Sequence, residues 1–149
     1  VTAPTPKNEV ERVAVRFAAA MGADPESMYA LLADTFVRRG EQTAWQPLGK
    51  ANYVAMSENF LSAYPDVRWE VVDVLSDGNR VVLHMVERGT FTAAWTIGDI
   101  TVQPTGGEYT SRGMVLMTID DGLISEYTLV QDGGFRSAFG EIFTDEFGL

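Results

Sequence analysis

The 149-residue chain has no cysteine. That excludes a disulfide framework, a thiolate nucleophile and any metal site built on Cys. It fits a cytoplasmic protein, and that location is the expectation. Histidine is almost as scarce: His84 is the only one. One His among scattered acids offers no ligand pattern, so no metal site is expected. Cations are few, 11 Lys+Arg against 21 Asp+Glu, for a formal net charge of -10. Nucleic-acid binding relies on clustered cations facing phosphates, so no nucleic-acid partner is expected, nor an anionic membrane surface. Long apolar runs are missing too; none approaches the roughly 18 residues of a membrane span. The opening Val1-Thr2-Ala3-Pro4-Thr5-Pro6 lacks a basic region followed by an apolar core, so it does not read as a signal peptide. Residues 1–8 are expected to be a flexible lead and residues 9–149 a single domain.

What is present is enough for a core. Apolar residues make up 46% of the chain, with three Trp, five Tyr and eight Phe, and a chain of this length buries most of them in one domain. Asn8, with Glu11 three residues on, caps a first helix whose Val10, Val13, Phe17 and Met21 recur at helical spacing. Gly22 ends it. Asp24-Pro25-Glu26 starts a second, with Met28, Leu31, Leu32 and Phe36 as its apolar side. Arg38 to Gly49 reads as a loop. Lys50 to Tyr64 is a third helix, striped by Tyr53, Met56, Phe60 and Tyr64 and stopped by Pro65.

Beyond Pro65 the period changes to two. Val67, Trp69 and Val71 open a strand that runs to Leu75, and Asp77-Gly78-Asn79 signals a hairpin into a second strand from Arg80 to Arg88. Gly89 marks a bend, with Trp95 as the far limit of that strand. Gly98 to Gly107 reads as a loop, and Tyr109 to Ile119 as a third long strand. Asp121-Gly122 turns it into the last one, which ends on Asp132. Phe135, Phe139, Ile142 and Phe143 suggest a short closing helix or a packed tail. Three helices followed by long antiparallel strands give an α+β order. A curved sheet with helices in its concavity leaves a deep apolar pocket.

Residues two apart on a strand share a face. Glu126, Thr128, Val130 and Asp132 therefore point together. If that face lines the pocket, Asp132 is an acid in a partly apolar setting, suited to proton transfer near neutral pH. Its alternative is a helix cap before Gly133-Gly134. Arg88 shares a face with His84, Val86 and Thr90. Turned inward it can stabilise an enolate oxygen; turned outward it pairs with Glu87 or Glu70. His84 is either a proton shuttle or a hydrogen-bonded strand residue. Phe36, Phe60, Tyr64, Val86, Trp95, Met114, Thr128 and Val130 are the candidate pocket lining. The aromatic residues among them are equally explained as core. Arg38 and Arg39 form a basic pair that either greets an anionic substrate or is solvated. Val115, Met117 and Leu129 are apolar residues available to a dimer face.

Four segments together resemble a known family. They are Ala63-Tyr64-Pro65-Asp66-Val67, Arg88-Gly89-Thr90, Pro104-Thr105-Gly106, and Asp121-Gly122-Leu123-Ile124-Ser125-Glu126 through Asp132. In this order they resemble the SnoaL-like polyketide cyclases of the NTF2-like superfamily. The resemblance implies a cone-shaped barrel, with three N-terminal helices packed into a curved, mostly antiparallel sheet. It implies ring closure of a polyketide-type, mostly apolar small molecule in secondary metabolism, without metal or organic cofactor, by a homodimer. By resemblance the acid/base role falls on Asp132, assisted by Arg88 and His84. The chain departs from the pattern at Phe91, where many members carry His, and at Thr128, where Trp is common. The positions that would match the water-holding Tyr and Asn of fold-related epoxide hydrolases are Val37 and Arg39. The alternatives on the same scaffold are an isomerase, a dehydratase, an epoxide hydrolase or a non-catalytic ligand-binding module.

Overall fold

The computed structural model describes residues 3–133. The closing helix expected from Phe135 onward lies outside the described residues.

Helix α1 (Glu9–Ala20) begins where expected: the Asn8 side chain accepts the Glu11 N–H at 2.9 Å. Its buried stripe is Val13, Ala14, Phe17 and Ala18. Helix α2 (Pro25–Ala30) is capped by Asp24, with Pro25 in its first turn. It is shorter than its apolar spacing suggests, because the next residues are extended. Strand β1 (Leu32–Gly40) occupies the place where a helix tail and a loop were expected. Thr35, Phe36 and Val37 favour a pleated backbone. The buried residues from Phe36 on are Phe36, Arg38 and Gly40. A buried Arg breaks the apolar alternation by which a strand is recognised. A 3-10 turn (Glu41–Thr43) and the two-residue β2 (Leu48–Gly49) lead into α3 (Lys50–Ala63).

Strands β3 (Arg68–Asp77) and β4 (Arg80–Thr90) form the expected hairpin around Gly78. The chain then makes a two-stranded excursion, β5 (Trp95–Ile97) and β6 (Ile100–Val102), where a longer β4 and a plain loop were expected. Strands β7 (Glu108–Asp120) and β8 (Leu123–Gln131) follow, joined by Asp121-Gly122 with φ of 51° and 75°. Positive φ at both residues is the two-residue hairpin geometry that matches strand twist.

The main sheet runs β2-β1-β8-β7-β4-β3. Every neighbouring pair is antiparallel except β1–β8, which is parallel. The sheet is open, with β2 and β3 at its edges, so the closed barrel of the expectation is replaced by a curved, three-helix-covered sheet. The α+β class stands. Among the described residues no helix is long and apolar enough to cross a membrane.

One irregularity decides which side chains face the helices. Thr118 pairs with Glu126, but Ile119 pairs with Ile124. Ser125 is therefore an extra residue on β8, a bulge that reverses the alternation beyond it. Ile124 faces the core, and so do Tyr127 and Leu129, at 0%, 2% and 5% exposure. Without the bulge, Glu126, Thr128 and Val130 would point inward. Instead they point out, and Val130 is 58% exposed.

The core combines α1 with the inner sheet face. Phe17 meets Trp69 and Tyr127 edge-on, and Phe36, Tyr53 and Tyr127 form a tilted trio. A second apolar cluster holds Tyr64, Val67, Phe91, Val102 and Tyr109. Val115, Met117 and Leu129 are all buried and inward, so the residues expected to favour a dimer face belong to the core.

Candidate active site

A cavity of about 430 Å³ opens between α3 and the inner sheet face. Its apolar walls include Phe60, Met56, Trp95 and Leu129. Among its described lining residues Glu87 is the single carboxylate and Arg38 the single guanidinium.

Glu87 continues the inward series Val81, Leu83 and Met85 on β4, and is 8% exposed. Three donors hold its carboxylate. Trp69 Nε1 donates to Oε2 at 2.5 Å, Tyr109 Oη to Oε1 at 2.8 Å, and Gln131 Nε2 to Oε1 at 3.3 Å. They come from β3, β7 and β8, so three strands fix one side chain. Gly89 contributes: a Cβ there would stand 2.9 Å from the Tyr109 ring, so its absence lets that ring lie against β4.

Arg38 reaches the cavity from β1 and is 3% exposed. Its Nη2 donates to Gln42 Oε1 at 2.7 Å and its Nη1 reaches Thr43 Oγ1 at 3.5 Å. Among the described residues no carboxylate lies within ion-pair distance of it. The Tyr53 and Tyr127 rings stand 5.7 Å apart, and both hydroxyls feel the charges of Arg38 and Glu87.

The tyrosines here are held protonated. Burial pushes Tyr127 well above the usual tyrosine range, and burial likewise raises Tyr53, with Arg38 opposing. Tyr109 is raised first by burial, then by the Glu87 charge beside it. Each is therefore a hydroxyl donor at neutral pH. An unfolded tyrosine ionises near pH 10, whereas these stay protonated, so the stability they confer is complete below that pH and is lost above it. Melting temperatures should hold to about pH 10 and fall steeply above it, with tyrosinate absorbance rising together with unfolding. Tyrosinate appearing on a chain that is still folded would contradict the assignment.

Of the residues singled out in the sequence, the cavity takes Phe60 and Trp95. Phe36 is core, 1% exposed, and Tyr64 is buried between Phe60 and Phe91 at centroid distances of 4.7 and 5.2 Å. Arg88 lies on the outer sheet face, where Nη1 meets Glu70 Oε2 at 2.8 Å. His84 and Val86 share that face, since each alternates with an inward residue of β4. Met114, opposite His84 in register, is 54% exposed. Met114, Val86, Thr128 and Val130 therefore do not line the cavity, and the Ser125 bulge accounts for the last two. Asp132 lies just past β8, exposed, with Oδ1 accepting from Ser111 Oγ at 2.8 Å. It is not among the cavity's lining residues. Among the described residues no cluster of His, Asp and Glu could hold a metal ion.

The residues missed in sequence are Glu87, Gln131, Tyr53 and Tyr127, while of the basic pair Arg38 lines the cavity and Arg39 is exposed. A signal for Glu87 existed: odd positions of β4 are Val81, Leu83, Met85 and Glu87, while even ones include Arg80, His84 and Arg88. An acid at the end of the more apolar series is an acid turned inward.

The chain matches the model of the SnoaL-like domain over residues 13–127. No curated protein matches it. Among solved structures it is similar to AclR, a proposed hydroxylase from Streptomyces galilaeus, at 21% identity and a TM-score of 0.76, covering 89% of this chain and 85% of that one. IdmH, a proposed polyketide cyclase from Streptomyces antibioticus, is similar at 20% identity and a TM-score of 0.73, covering 91% and 99%. A proposed ketosteroid isomerase from Kribbella flavida DSM 17836 shares 23% identity with a TM-score of 0.60, covering 83% and 78%. Three different chemistries are attached to those names, so at these identities the likeness establishes a shared ketosteroid isomerase-like, or NTF2-like, fold. With the domain model matched across most of its length, the chain belongs to the SnoaL-like family.

Proposed function

We propose that the protein is a cofactor-independent acid–base enzyme that closes a ring in a polyketide-type, mostly apolar carbonyl compound. The observation that carries this is Glu87: one carboxylate, held by three donors, in a cavity otherwise walled mostly by apolar and aromatic side chains. A substrate carbon flanked by carbonyls gives its proton to Glu87. The resulting enolate carbon attacks a second carbonyl of the same molecule and forms the new C–C bond. Glu87 then returns the proton to the alkoxide, so the product has the mass of the substrate. The protonated Tyr53 and Tyr127 are donors for the developing oxyanion. Confinement in about 430 Å³ adds to the rate by selecting folded conformers of a flexible chain.

A simple proton shift, as in an isomerase, uses the same carboxylate without forming a ring. Hydration is less favoured, because the described lining residues hold one carboxylate and no second one beside it to activate water. Linear chains carrying a 1,3-dicarbonyl unit, a third carbonyl several carbons along and an alkene, incubated in deuterated, oxygen-labelled water, test the proposal. Ring closure gives a cyclised product with deuterium at the exchanged carbon and no added oxygen. An uncyclised, shifted double bond supports the isomerase, and incorporation of solvent oxygen supports hydrolysis. Asp132→Asn serves as the competing variant: here it is expected to keep turnover within about threefold, since surface changes away from the cavity have small effects. A loss of two or more orders of magnitude in it alone would transfer the acid/base role to Asp132.

A further inference from the structure

Among the described residues the guanidinium of Arg38 is buried without an ion-pair partner. It is 3% exposed, it lines the cavity, and its Nε has no hydrogen-bond partner among those residues. Its two hydrogen-bond partners, Gln42 Oε1 and Thr43 Oγ1, are neutral acceptors. A buried cation with neutral partners and an orphaned N–H is costly to the folded state, and the cost is relieved when an anion arrives. The seat is built for the group. Gly40 has an extended backbone with φ of 176°, which any residue adopts, yet a Cβ there would stand 3.2 Å from Arg38 Cζ and Nη1 and 3.1 Å from the Leu129 carbonyl. A side chain there would press on the guanidinium and on the Leu129 carbonyl, so glycine leaves the Arg38 head its place. Gln42 is in turn steered by Gln131, whose Oε1 accepts from Gln42 Nε2 at 3.3 Å while its Nε2 donates to Glu87. One amide thus links the partner of the cation to the acid across the cavity.

From this geometry we infer that the cavity takes a substrate bearing a carboxylate, which seats on Arg38 and leaves the apolar chain against Phe60 and Trp95. The inference rests on the cavity being the reaction site and adds the substrate's charged end. The planar fork of Arg suits a carboxylate, with two parallel N–H donors for two oxygens. Arg38 and Glu87, lining the same cavity, also orient the substrate, because the anion is drawn to Arg38 and repelled from the carboxylate. The carbon that loses its proton therefore lies toward the uncharged part of the molecule.

A polyene fatty acid whose fluorescence rises in apolar surroundings, cis-parinaric acid, tests this directly beside its methyl ester. Wild type should bind the acid about 10- to 100-fold tighter than the ester, the gain expected of a charge-assisted hydrogen bond. Arg38→Gln should bind the two alike, Arg38→Lys should keep part of the preference, and Arg39→Gln should keep all of it. Wild type needs no substitution for the main comparison, so a poorly folded variant does not remove the test. Equal binding of acid and ester by wild type would overturn the carboxylate seat while leaving the apolar cavity as a binding site. Failure of both to bind saturably would overturn the seat and the proposed reaction site together.

Discussion

Glu87→Gln is expected to lower turnover by about 10²- to 10⁴-fold, the range lost when a positioned general base is removed. The substitution keeps size and shape but fills the carboxylate's place with one acceptor and one donor. Either orientation sets an N–H against a donor, the Trp69 indole on one side or the Tyr109 hydroxyl and Gln131 amide on the other. A buried donor left without an acceptor costs about 1–3 kcal/mol, so a lower melting temperature accompanies the kinetic loss. Circular dichroism at the assay temperature separates the two effects, because a variant that is still folded and inactive has lost chemistry. Glu87→Asp completes the series: it keeps the charge but withdraws it by roughly one C–C bond, about 1.5 Å, and turnover should lie between the other two. A folded Glu87→Gln protein that turns over at the wild-type rate would sink the acid–base proposal at this residue.

Phe17→Ala is expected to destabilise the fold by about 3–5 kcal/mol. Phe17 has no exposed surface, and its ring stands 5.8 Å from Trp69 and 5.7 Å from Tyr127, both edge-on. Such pairs add about 0.5–1.5 kcal/mol beyond buried area. Domains of this size hold about 5–15 kcal/mol in total, so the variant sits near the limit of folding. Urea titration reads the loss as a lowered midpoint. A change below about 1 kcal/mol would show that the helix–sheet contact is not the keystone claimed for it. The same two rings wall the cavity, since Trp69 and Tyr127 both line it. Phe17→Ala therefore also loosens the indole that holds Glu87, whereas Phe17→Leu keeps most of the volume and should cost far less.

The segments that carried the family resemblance turn out to be joints of the scaffold. Asp66 accepts from Thr90 twice, from its N–H at 2.8 Å and its hydroxyl at 2.6 Å, so the Pro-Asp exit of α3 clasps the Arg-Gly-Thr end of β4. Gly106 and Gly107 in turn bracket Phe91 through backbone bonds of 2.9 and 3.0 Å. This is why the fold was legible from those short motifs while the site was not. Helix starts at Asn8 and Asp24 and the hairpins at Gly78 and Gly122 are written in local chemistry, and each lies where expected. Strand β1 was hidden by Arg38, a charge at a buried position. The lining from β8 was assigned to the wrong face because the Ser125 bulge depends on pairing with β7, which no local pattern announces. Arg88 was drawn toward the site by its neighbours in sequence, although Glu70 on the adjacent strand holds it outside.

The extra residue at Ser125 also bears on how such a cavity changes over generations. Losing that one codon would remove the unpaired residue and leave a regular ladder, with Ile124 against Ile119 and Glu126 against Thr118 as they stand now. Tyr127, Leu129 and Gln131 would stay inside, and the amide that connects Glu87 to Gln42 would be kept. A three-nucleotide deletion at the bulge is therefore absorbed without exchanging the interior, whereas keeping all the residues and straightening the strand would turn Glu126, Thr128 and Val130 inward. The bulge thus makes this one position of the strand a place where chain length can change while the cavity wall does not.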